Sequence, residues 1–205
     1  MFFFYLKNVN YYRYNFVISF FLVPLHKNRF LTKKIVNMFK IIACVNKRGV
    51  IGNHGKLLYS IKNDMKNFKS MTIGNVVIMG RCTFESLPNK QPLKNRINII
   101  ITKDKEYNVD ANDNVFIVHS IIEAVDLTTT MFSDKEWFVI GGSTIYRQFL
   151  DEGLVNEMRL TYVDDDAEGN VKFPMFNTDS WYTYYESLTQ TESYLPFTFR
   201  VLKKK

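Results

Sequence analysis

One acidic residue stands out among the side chains of this sequence that could do chemistry. Asp64 is the only acid in the segment 61–72, and it lies at the edge of an apolar stripe. The stripe consists of residues at helical spacing: Ile61, Met65, Phe68 and Thr72. A buried carboxylate is costly unless it has a partner, so Asp64 caps a turn, meets a lysine or binds a polar ligand. No basic residue shares the stripe and a predicted loop, 48–60, precedes it, which favours a ligand pocket.

Two glycine turns each follow an apolar run and precede a helix-like segment. One is Gly141-Gly142 and the other is Gly80-Arg81. Backbone amides at the start of a helix bind phosphate, and glycine lets a ligand approach the backbone closely. Neither turn has the GxGxxG spacing of the common dinucleotide fold, and a plain strand-to-helix turn remains the alternative for each. Together they favour a ligand with two phosphate-bearing regions.

The elements that must position these residues alternate along the chain. Apolar runs predict strands at 39–46, 75–79, 97–102, 115–118 and 137–140. Helical spacing predicts helices at 61–72, 83–87, 120–127 and 143–150. Longer strands with no helix between them follow at 157–163, 181–189 and 194–202. We therefore expect an α/β fold: a mostly parallel central sheet of about eight strands with an antiparallel C-terminal edge, flanked by helices on both faces.

The charge distribution argues against nucleic-acid binding. The formal net charge is +7, but six of these positive charges lie in residues 1–37, which contain no acid. The remainder, 38–205, is nearly neutral and offers no basic footprint for a phosphate backbone.

The cysteines and histidines exclude two further classes of site. Cys44 and Cys82 are too few for a disulfide framework, and we expect both to be free thiols. The three histidines are scattered and no two have ligand spacing, so no metal site is predicted.

Residues 1–37 form a basic, acid-free extension with an apolar run at 16–25. That run is too short to span a bilayer, which needs about 20 residues, so no stable membrane span is expected. A secretory signal, an organelle transit peptide, and upstream translation before a true start at Met38 remain open; the last two are favoured over an anchor. We expect a cytoplasmic protein, with organelle targeting as the alternative.

Residues 38–205 resemble dihydrofolate reductase in the order and spacing of their motifs. The most specific match is the run 77–86, with sequence VIMGRCTFES, combined with the Gly141-Gly142 turn. The resemblance implies a single reductase domain that reduces 7,8-dihydrofolate to tetrahydrofolate with NADPH, supplying one-carbon metabolism and thymidylate synthesis. It also implies a monomer, and no thymidylate synthase domain is expected within these residues.

The resemblance implies three catalytic positions: Asp64, Thr161 and Tyr59. The Asp64 carboxylate would accept two parallel hydrogen bonds from the pterin, Thr161 would join that network, and Tyr59 would close a mobile loop, 47–60, over the ring. Arg96 would bind the carboxylate of the glutamate tail with its planar guanidinium. The other substrate contacts implied are apolar: Ile42, Phe68, Leu87, Leu93 and Ile140.

The resemblance also implies an NADPH site built on the two glycine turns. Arg81, with Lys103, indicates a preference for the 2′-phosphate of NADPH, and the Gly141-Gly142 peptide is expected to be cis. The implied cofactor-binding residues are Ala43, Ile51, Gly52, Gly80, Arg81, Cys82, Thr83, Thr102, Lys103, Ile140, Gly141, Gly142, Ser143, Thr144, Ile145 and Tyr146.

Three other functions remain as alternatives. A reductase that acts on a pyrimidine in riboflavin synthesis shares the fold, but it would not need Asp64 together with Arg96. A non-catalytic binding protein would not need every matched polar residue. A protein attached to a membrane through residues 1–37 is the third, and comparison of full-length and Met38-start forms would test it.

Overall fold

The structure is a computed structural model, and its described residues are 39–109 and 113–205. The extension predicted for residues 1–37 lies outside these ranges, so what was expected of it stays a prediction.

The described part of the chain contains twelve strands, four α-helices and two short 3-10 helices, Pro88–Lys90 and Thr178–Ser180. The strands are β1 Phe39–Asn46, β2 Val50–Asn53, β3 Lys56–Leu57, β4 Val76–Gly80, β5 Ile97–Ile101, β6 Val115–Val118, β7 Trp137–Gly141, β8 Val155–Val163, β9 Val171–Lys172, β10 Trp181–Glu186, β11 Gln190–Glu192 and β12 Leu195–Lys204. The helices are α1 Lys62–Thr72, α2 Arg81–Glu85, α3 Ile121–Met131 and α4 Ser143–Asp151.

The main sheet confirms the predicted fold class. Its strand order is β10-β12-β8-β1-β7-β4-β5-β6, and β11 pairs with β12. The pairs from β8 through β6 are all parallel, whereas β12 runs antiparallel to β8, β10 and β11. The antiparallel edge forms because β10, β11 and β12 follow one another without a crossover helix.

Helices cover both faces of this sheet, as predicted. Alternate residues of β4 point to opposite faces, so Val76 and Ile78 join one apolar cluster, while Val77 and Met79 join the other. Helices α3 and α4 pack on the first cluster, and α1 and α2 pack on the second. The central strands read as continuous apolar runs because both of their faces are buried.

The segment 48–60, predicted to be a loop, contains a β-hairpin. Strands β2 and β3 pair antiparallel around His54 and Gly55, whose φ angles are 45° and 76°. Positive φ at both central residues is the requirement of a type I′ hairpin turn. Strand β9 then pairs with β2, and the result is a small three-stranded sheet.

The C-terminal strands also differ from the prediction in their bounds. The strand predicted for 181–189 ends at Glu186, and a second short strand, β11, begins at Gln190. Residues Ser193 and Tyr194, with φ angles of 51° and 66°, turn the chain from β11 into β12. β10 and β11 both pair with β12, so the predicted long strand is the interrupted first arm of one hairpin.

Candidate active site

Helix α1 and strand β8 bring together Asp64 and Thr161, which are 97 positions apart in the sequence. Asp64 is 8% exposed and Thr161 is 4% exposed. The Thr161 hydroxyl donates a hydrogen bond of 2.5 Å to Oδ1 of Asp64. Within the described ranges this is the only hydrogen bond of the Asp64 side chain, and no lysine pairs with it. The cap and lysine alternatives are therefore excluded.

The pKa of Asp64 is shifted in the direction expected for a buried carboxylate with few hydrogen-bond donors. Burial raises the pKa of Asp64, and the hydrogen bond from Thr161 acts in the opposite direction. Burial, together with the charge of Asp64, also raises the pKa of the Cys44 thiol on neighbouring β1. A ligand that donates hydrogen bonds would stabilise the ionised form of Asp64.

Glu192 holds the end of α1 that carries Asp64. Oε1 of Glu192 accepts a hydrogen bond of 2.6 Å from the amide of Lys62, and Oε2 accepts one of 3.1 Å from the amide of Asn63. Ile61, which precedes the helix, provides no side-chain cap. The first amides of a helix have no acceptor within the helix itself, and the helix dipole favours a carboxylate beside them.

An apolar wall runs beside Asp64. The structure places all the apolar substrate residues that the resemblance implied in one cluster with buried residues of β4, β5 and β7. Those residues are Ile42, Phe68, Leu87, Leu93 and Ile140. The wall is therefore assembled from segments far apart in the sequence, on the face of the sheet that α1 covers.

Arg96 is a buried cation at the far end of α1. It is 7% exposed; its Nε donates to Oγ1 of Thr72 at 2.8 Å and its Nη1 donates to the carbonyl of Lys94 at 2.9 Å. Its guanidinium lies 5.7 Å from the centre of the Phe68 ring. Among the described residues, no carboxylate pairs with it, and burial lowers its pKa. A buried cation without a counter-ion fits a ligand carboxylate.

The two glycine turns lie side by side, because β4 and β7 are adjacent parallel strands. A Cβ atom built on Gly80 would come within 3.0 Å of Cγ1 of Ile145, and one on Gly142 within 3.3 Å of Oγ1 of Thr83. The Gly141-Gly142 peptide is cis, as the resemblance implied. The carboxyl ends of parallel strands are where α/β sheets bind nucleotides.

Two of the implied cofactor residues also make contacts within the protein. The hydroxyl of Tyr146 donates to the carbonyl of Ile42 at 2.8 Å, and that of Ser143 donates to the carbonyl of Lys172 at 2.5 Å. Tyr146 is 4% exposed and therefore connects α4 to β1 in the interior.

The residues implied for the 2′-phosphate lie at the surface beyond β4 and β5. Arg81 lies 3.4 Å from Asp104 and 3.8 Å from Glu85, and its side chain is 42% exposed. Exposed ion pairs of this kind are weak, so a phosphate can compete for Arg81. Cys82 and Lys103 are exposed, whereas Thr102 is buried and accepts a hydrogen bond from the amide of Asp104.

The remaining implied cofactor residues lie along β1, the hairpin and α4. Ala43 and Ile51 are half-buried against the first cluster, Gly52 is buried in β2, and Thr144 is exposed at the start of α4. These positions border the two glycine turns and the small sheet.

Tyr59 is tied to a polar network rather than to Asp64. Its hydroxyl donates to Oδ2 of Asp165 at 2.6 Å and accepts from Nδ2 of Asn46 at 3.1 Å. Burial raises the pKa of Tyr59, and the hydrogen bond to Asp165 raises it further. A direct part for this hydroxyl in proton transfer is therefore not supported by the geometry. The ring remains available as a cover for the site.

Asn46 is a positioning residue that the sequence did not indicate. It is 1% exposed, and its Oδ1 accepts from the amides of Arg48 at 3.0 Å and Val50 at 2.8 Å. Its Nδ2 donates to the carbonyl of Ala167 at 2.8 Å as well as to Tyr59. Asn46 thus joins the end of β1, the hairpin and the segment before β9.

The described ranges contain neither a metal cluster nor a membrane-spanning helix. No group of three or more His, Cys, Asp or Glu side chains there could hold a metal ion. No helix there is long and apolar enough to cross a membrane.

The fold and the site define a class: an α/β protein with two glycine turns at adjacent strand ends and a buried carboxylate beside an apolar wall. Comparison with protein families matches residues 38–204 to dihydrofolate reductase. The dihydrofolate reductase of Staphylococcus aureus is 30% identical over 158 residues, which cover 76% of this chain and 91% of that protein. The chain belongs to the dihydrofolate reductase family.

Bifunctional plant proteins are similar too. The bifunctional dihydrofolate reductase-thymidylate synthase 2 of Arabidopsis thaliana is 29% identical over 186 residues. The aligned part covers 85% of this chain, and the chain spans only 33% of that relative. Among solved structures, dihydrofolate reductase from Enterococcus faecalis complexed with NADP(H) and RAB-propyl has the same fold, with a TM-score of 0.72 at 24% identity. The match covers 83% of this chain and 98% of that one.

Proposed function

We propose that the protein reduces 7,8-dihydrofolate to tetrahydrofolate with NADPH, and so supplies one-carbon metabolism and thymidylate synthesis. The observation that carries this proposal is the pair of buried, oppositely charged groups at the two ends of α1. Asp64 offers a carboxylate with one protein donor, and Arg96 offers a guanidinium with no carboxylate partner in the described residues.

The spacing of these two groups fits a folate. Arg96 is bonded to Thr72, which follows Asp64 by eight residues on α1, so about 12 Å of helix separates the two ends at 1.5 Å per residue. Phe68 lies between them on the same wall. A pterin bound to Asp64, a benzoyl group on Phe68 and a glutamate carboxylate at Arg96 would fill that distance.

The proposed work of the protein groups is binding and orientation. Asp64 would accept hydrogen bonds from the amino group and ring nitrogen of the pterin, and Thr161 would hold the carboxylate in line with that edge. When bound, NADPH supplies the hydride, which the pterin receives at the carbon beside N5. In this pose Asp64 would not reach N5, so the proton would come from water. Positioning and electrostatics would supply most of the rate.

The residues present fit the cofactor. A Cβ atom on Gly80 or Gly142 would press on the side chain of Ile145 or Thr83, so glycine allows each turn to pack closely on the neighbouring helix. Gly142 and Ser143 at the start of α4, and Arg81 and Thr83 at the start of α2, would hold the phosphates. Arg81 and Lys103 would favour NADPH over NADH.

A kinetic assay with two substrates tests this proposal. The full chain is assayed for NADPH oxidation with 7,8-dihydrofolate and with a dihydropterin that lacks the glutamate tail, alongside Arg96→Lys. We expect turnover of both substrates by the parent, because both carry the pterin edge. Arg96→Lys should raise KM for dihydrofolate by about tenfold or more, the scale of a charged hydrogen bond, and leave the tailless substrate unaffected.

Two results would contradict the proposal. One is the absence of NADPH oxidation with either substrate. The other is an equal effect of Arg96→Lys on both substrates, which would place the guanidinium outside the tail site. Turnover of a pyrimidine instead of a pterin would favour the riboflavin-pathway alternative.

We propose in addition a monomeric, cytoplasmic enzyme that does not bind nucleic acid. The nearly neutral charge of residues 38–205 supports the last point. Light scattering on the full chain measures the oligomeric state. Fractionation of cells that express full-length and Met38-start forms tests organelle targeting.

A further inference from the structure

A cavity lies on the flank of α1 that faces β8, β10 and β12, and two residues of the candidate substrate site, Ile42 and Thr161, also line it. We name it the α1-flank cavity; it has a volume of about 240 Å³. The residues that line it include Asn67, Met71, Arg159, Thr161, Tyr185 and Phe199. They come from α1, β8, β10 and β12. In the sheet, β12 and β10 lie beyond β8, away from β7 and β4, which carry the apolar wall of the substrate cleft.

The cavity presents a guanidinium whose hydrogen bonds are incompletely used. Nε of Arg159 donates to Glu157 at 2.6 Å, which fixes one edge of the group. Its Nη1 meets only the sulfur of Met71, at 3.0 Å, and a thioether is a weak acceptor. The Arg159 side chain is 32% exposed, so an oxygen from a ligand can displace this weak contact.

The rest of the lining is amphipathic. The side-chain amide of Asn67 makes no hydrogen bond with any described residue. Tyr185 and Phe199 supply aromatic walls, and Met71 supplies an aliphatic one. Pockets that bind small molecules combine such apolar walls with a few convergent polar groups.

We propose that the α1-flank cavity binds a small aromatic carboxylate. A dry cavity of about 150 Å³ holds benzene, so the larger volume found here accommodates one ring and a carboxylate. A planar guanidinium binds a carboxylate through two parallel hydrogen bonds, and the free edge of Arg159 offers that geometry. The ring would then lie between Phe199 and Tyr185.

Occupancy of this cavity would act on the substrate site through Thr161. Thr161 borders the cavity and also donates the hydrogen bond to Asp64. A ligand that shifts Thr161 therefore changes the carboxylate that orients the pterin. The binding site itself rests on the cavity and on Arg159, and it stands whether or not the proposed reaction is correct.

The test uses benzoate as the probe and the full chain labelled for NMR. We expect saturable shifts of the amide signals of Thr161 and Val201, which line the cavity. Benzyl alcohol, which has the same ring but no charge, should bind at least about tenfold more weakly. Saturating 7,8-dihydrofolate should not displace benzoate.

Three variants locate the site. Arg159→Met removes the guanidinium and should weaken benzoate binding by about tenfold or more. Arg159→Met also leaves buried Glu157 without its partner. Asn67→Phe therefore serves as a second variant, which fills the cavity and keeps the pair of Arg159 and Glu157. Arg147→Met, at an exposed arginine of α4, is the matched control and should bind benzoate as the parent does.

Several results would overturn the proposal. These are the absence of saturable binding, equal affinity for benzyl alcohol, or parental affinity in both Arg159→Met and Asn67→Phe. Displacement of benzoate by 7,8-dihydrofolate would place the probe in the substrate cleft instead.

Discussion

Asp64→Asn is expected to lower kcat/KM for 7,8-dihydrofolate and, at the same time, to raise the stability of the folded protein. Asparagine keeps the shape of aspartate but lacks the charge, and its amide nitrogen can only donate. The pterin edge would therefore lose at least one charge-assisted hydrogen bond, worth about 1.5–3 kcal/mol. At 1.4 kcal/mol per factor of ten, kcat/KM for 7,8-dihydrofolate should fall by about 10- to 150-fold.

The effect of the same substitution on stability follows from the pKa of Asp64. Burial raises this pKa in the folded protein. A raised pKa means that the folded state binds the proton more tightly than the unfolded state. The associated stability is therefore complete below the unfolded pKa of an aspartate and is lost as pH rises through the folded pKa. Above the folded pKa the ionised carboxylate destabilises the fold, and asparagine removes that cost.

The two measurements are steady-state kinetics at neutral pH and thermal unfolding across a range of pH. We expect Asp64→Asn to have a higher Tm than the parent at neutral pH, with the difference disappearing in acid. Asp134→Asn, at an aspartate in the exposed turn after α3, should change neither quantity. Parental kcat/KM in Asp64→Asn would refute the binding role, and a lower Tm at neutral pH would refute the cost of burial.

Three further substitutions test the surroundings of the site. Thr161→Val removes the hydrogen bond that lowers the pKa of Asp64, so the acid limb of the kcat/KM–pH profile should move to higher pH; an unchanged profile would contradict this. Asn46→Ala leaves two amides without their acceptor and should cost about 2–4 kcal/mol in urea unfolding, whereas a loss near zero would show that water replaces the side chain. In Gly169→Ala the new Cβ would lie 2.6 Å from the carbonyl oxygen of Gly52, so faster hydrogen exchange in β2 is expected, and unchanged protection would contradict that clash.

The parts of the fold that the sequence predicted are those with a strong local pattern. β1 and β6 begin and end where their apolar runs do, and α1 begins one residue after its predicted start. Ser120 caps α3 by accepting a hydrogen bond from the amide of Glu123, at the spacing of a capping box. Periodicity and capping are properties of neighbouring residues, so they can be identified before any tertiary contact is known.

The features that the sequence did not predict depend on distant partners. Asn46 is bonded to Ala167, 121 positions away, and nothing around Asn46 indicates that contact. The hairpin of β2 and β3 is short, and its strands lack alternation, so only the His54-Gly55 turn carried a local signal. The partnership of Asp64 with Thr161 came from the family resemblance, because position along a strand cannot specify a residue on a remote helix.

Glu192 has a consequence for the order in which the protein is made. The two amides that it binds belong to the first turn of α1, and Lys62 precedes it by 130 positions. During translation, α1 must wait for nearly the whole domain to leave the ribosome before its first turn is complete. Strands β4 to β7 can pair earlier, so a nascent chain acquires its scaffold well before the helix that would grip a pterin is finished.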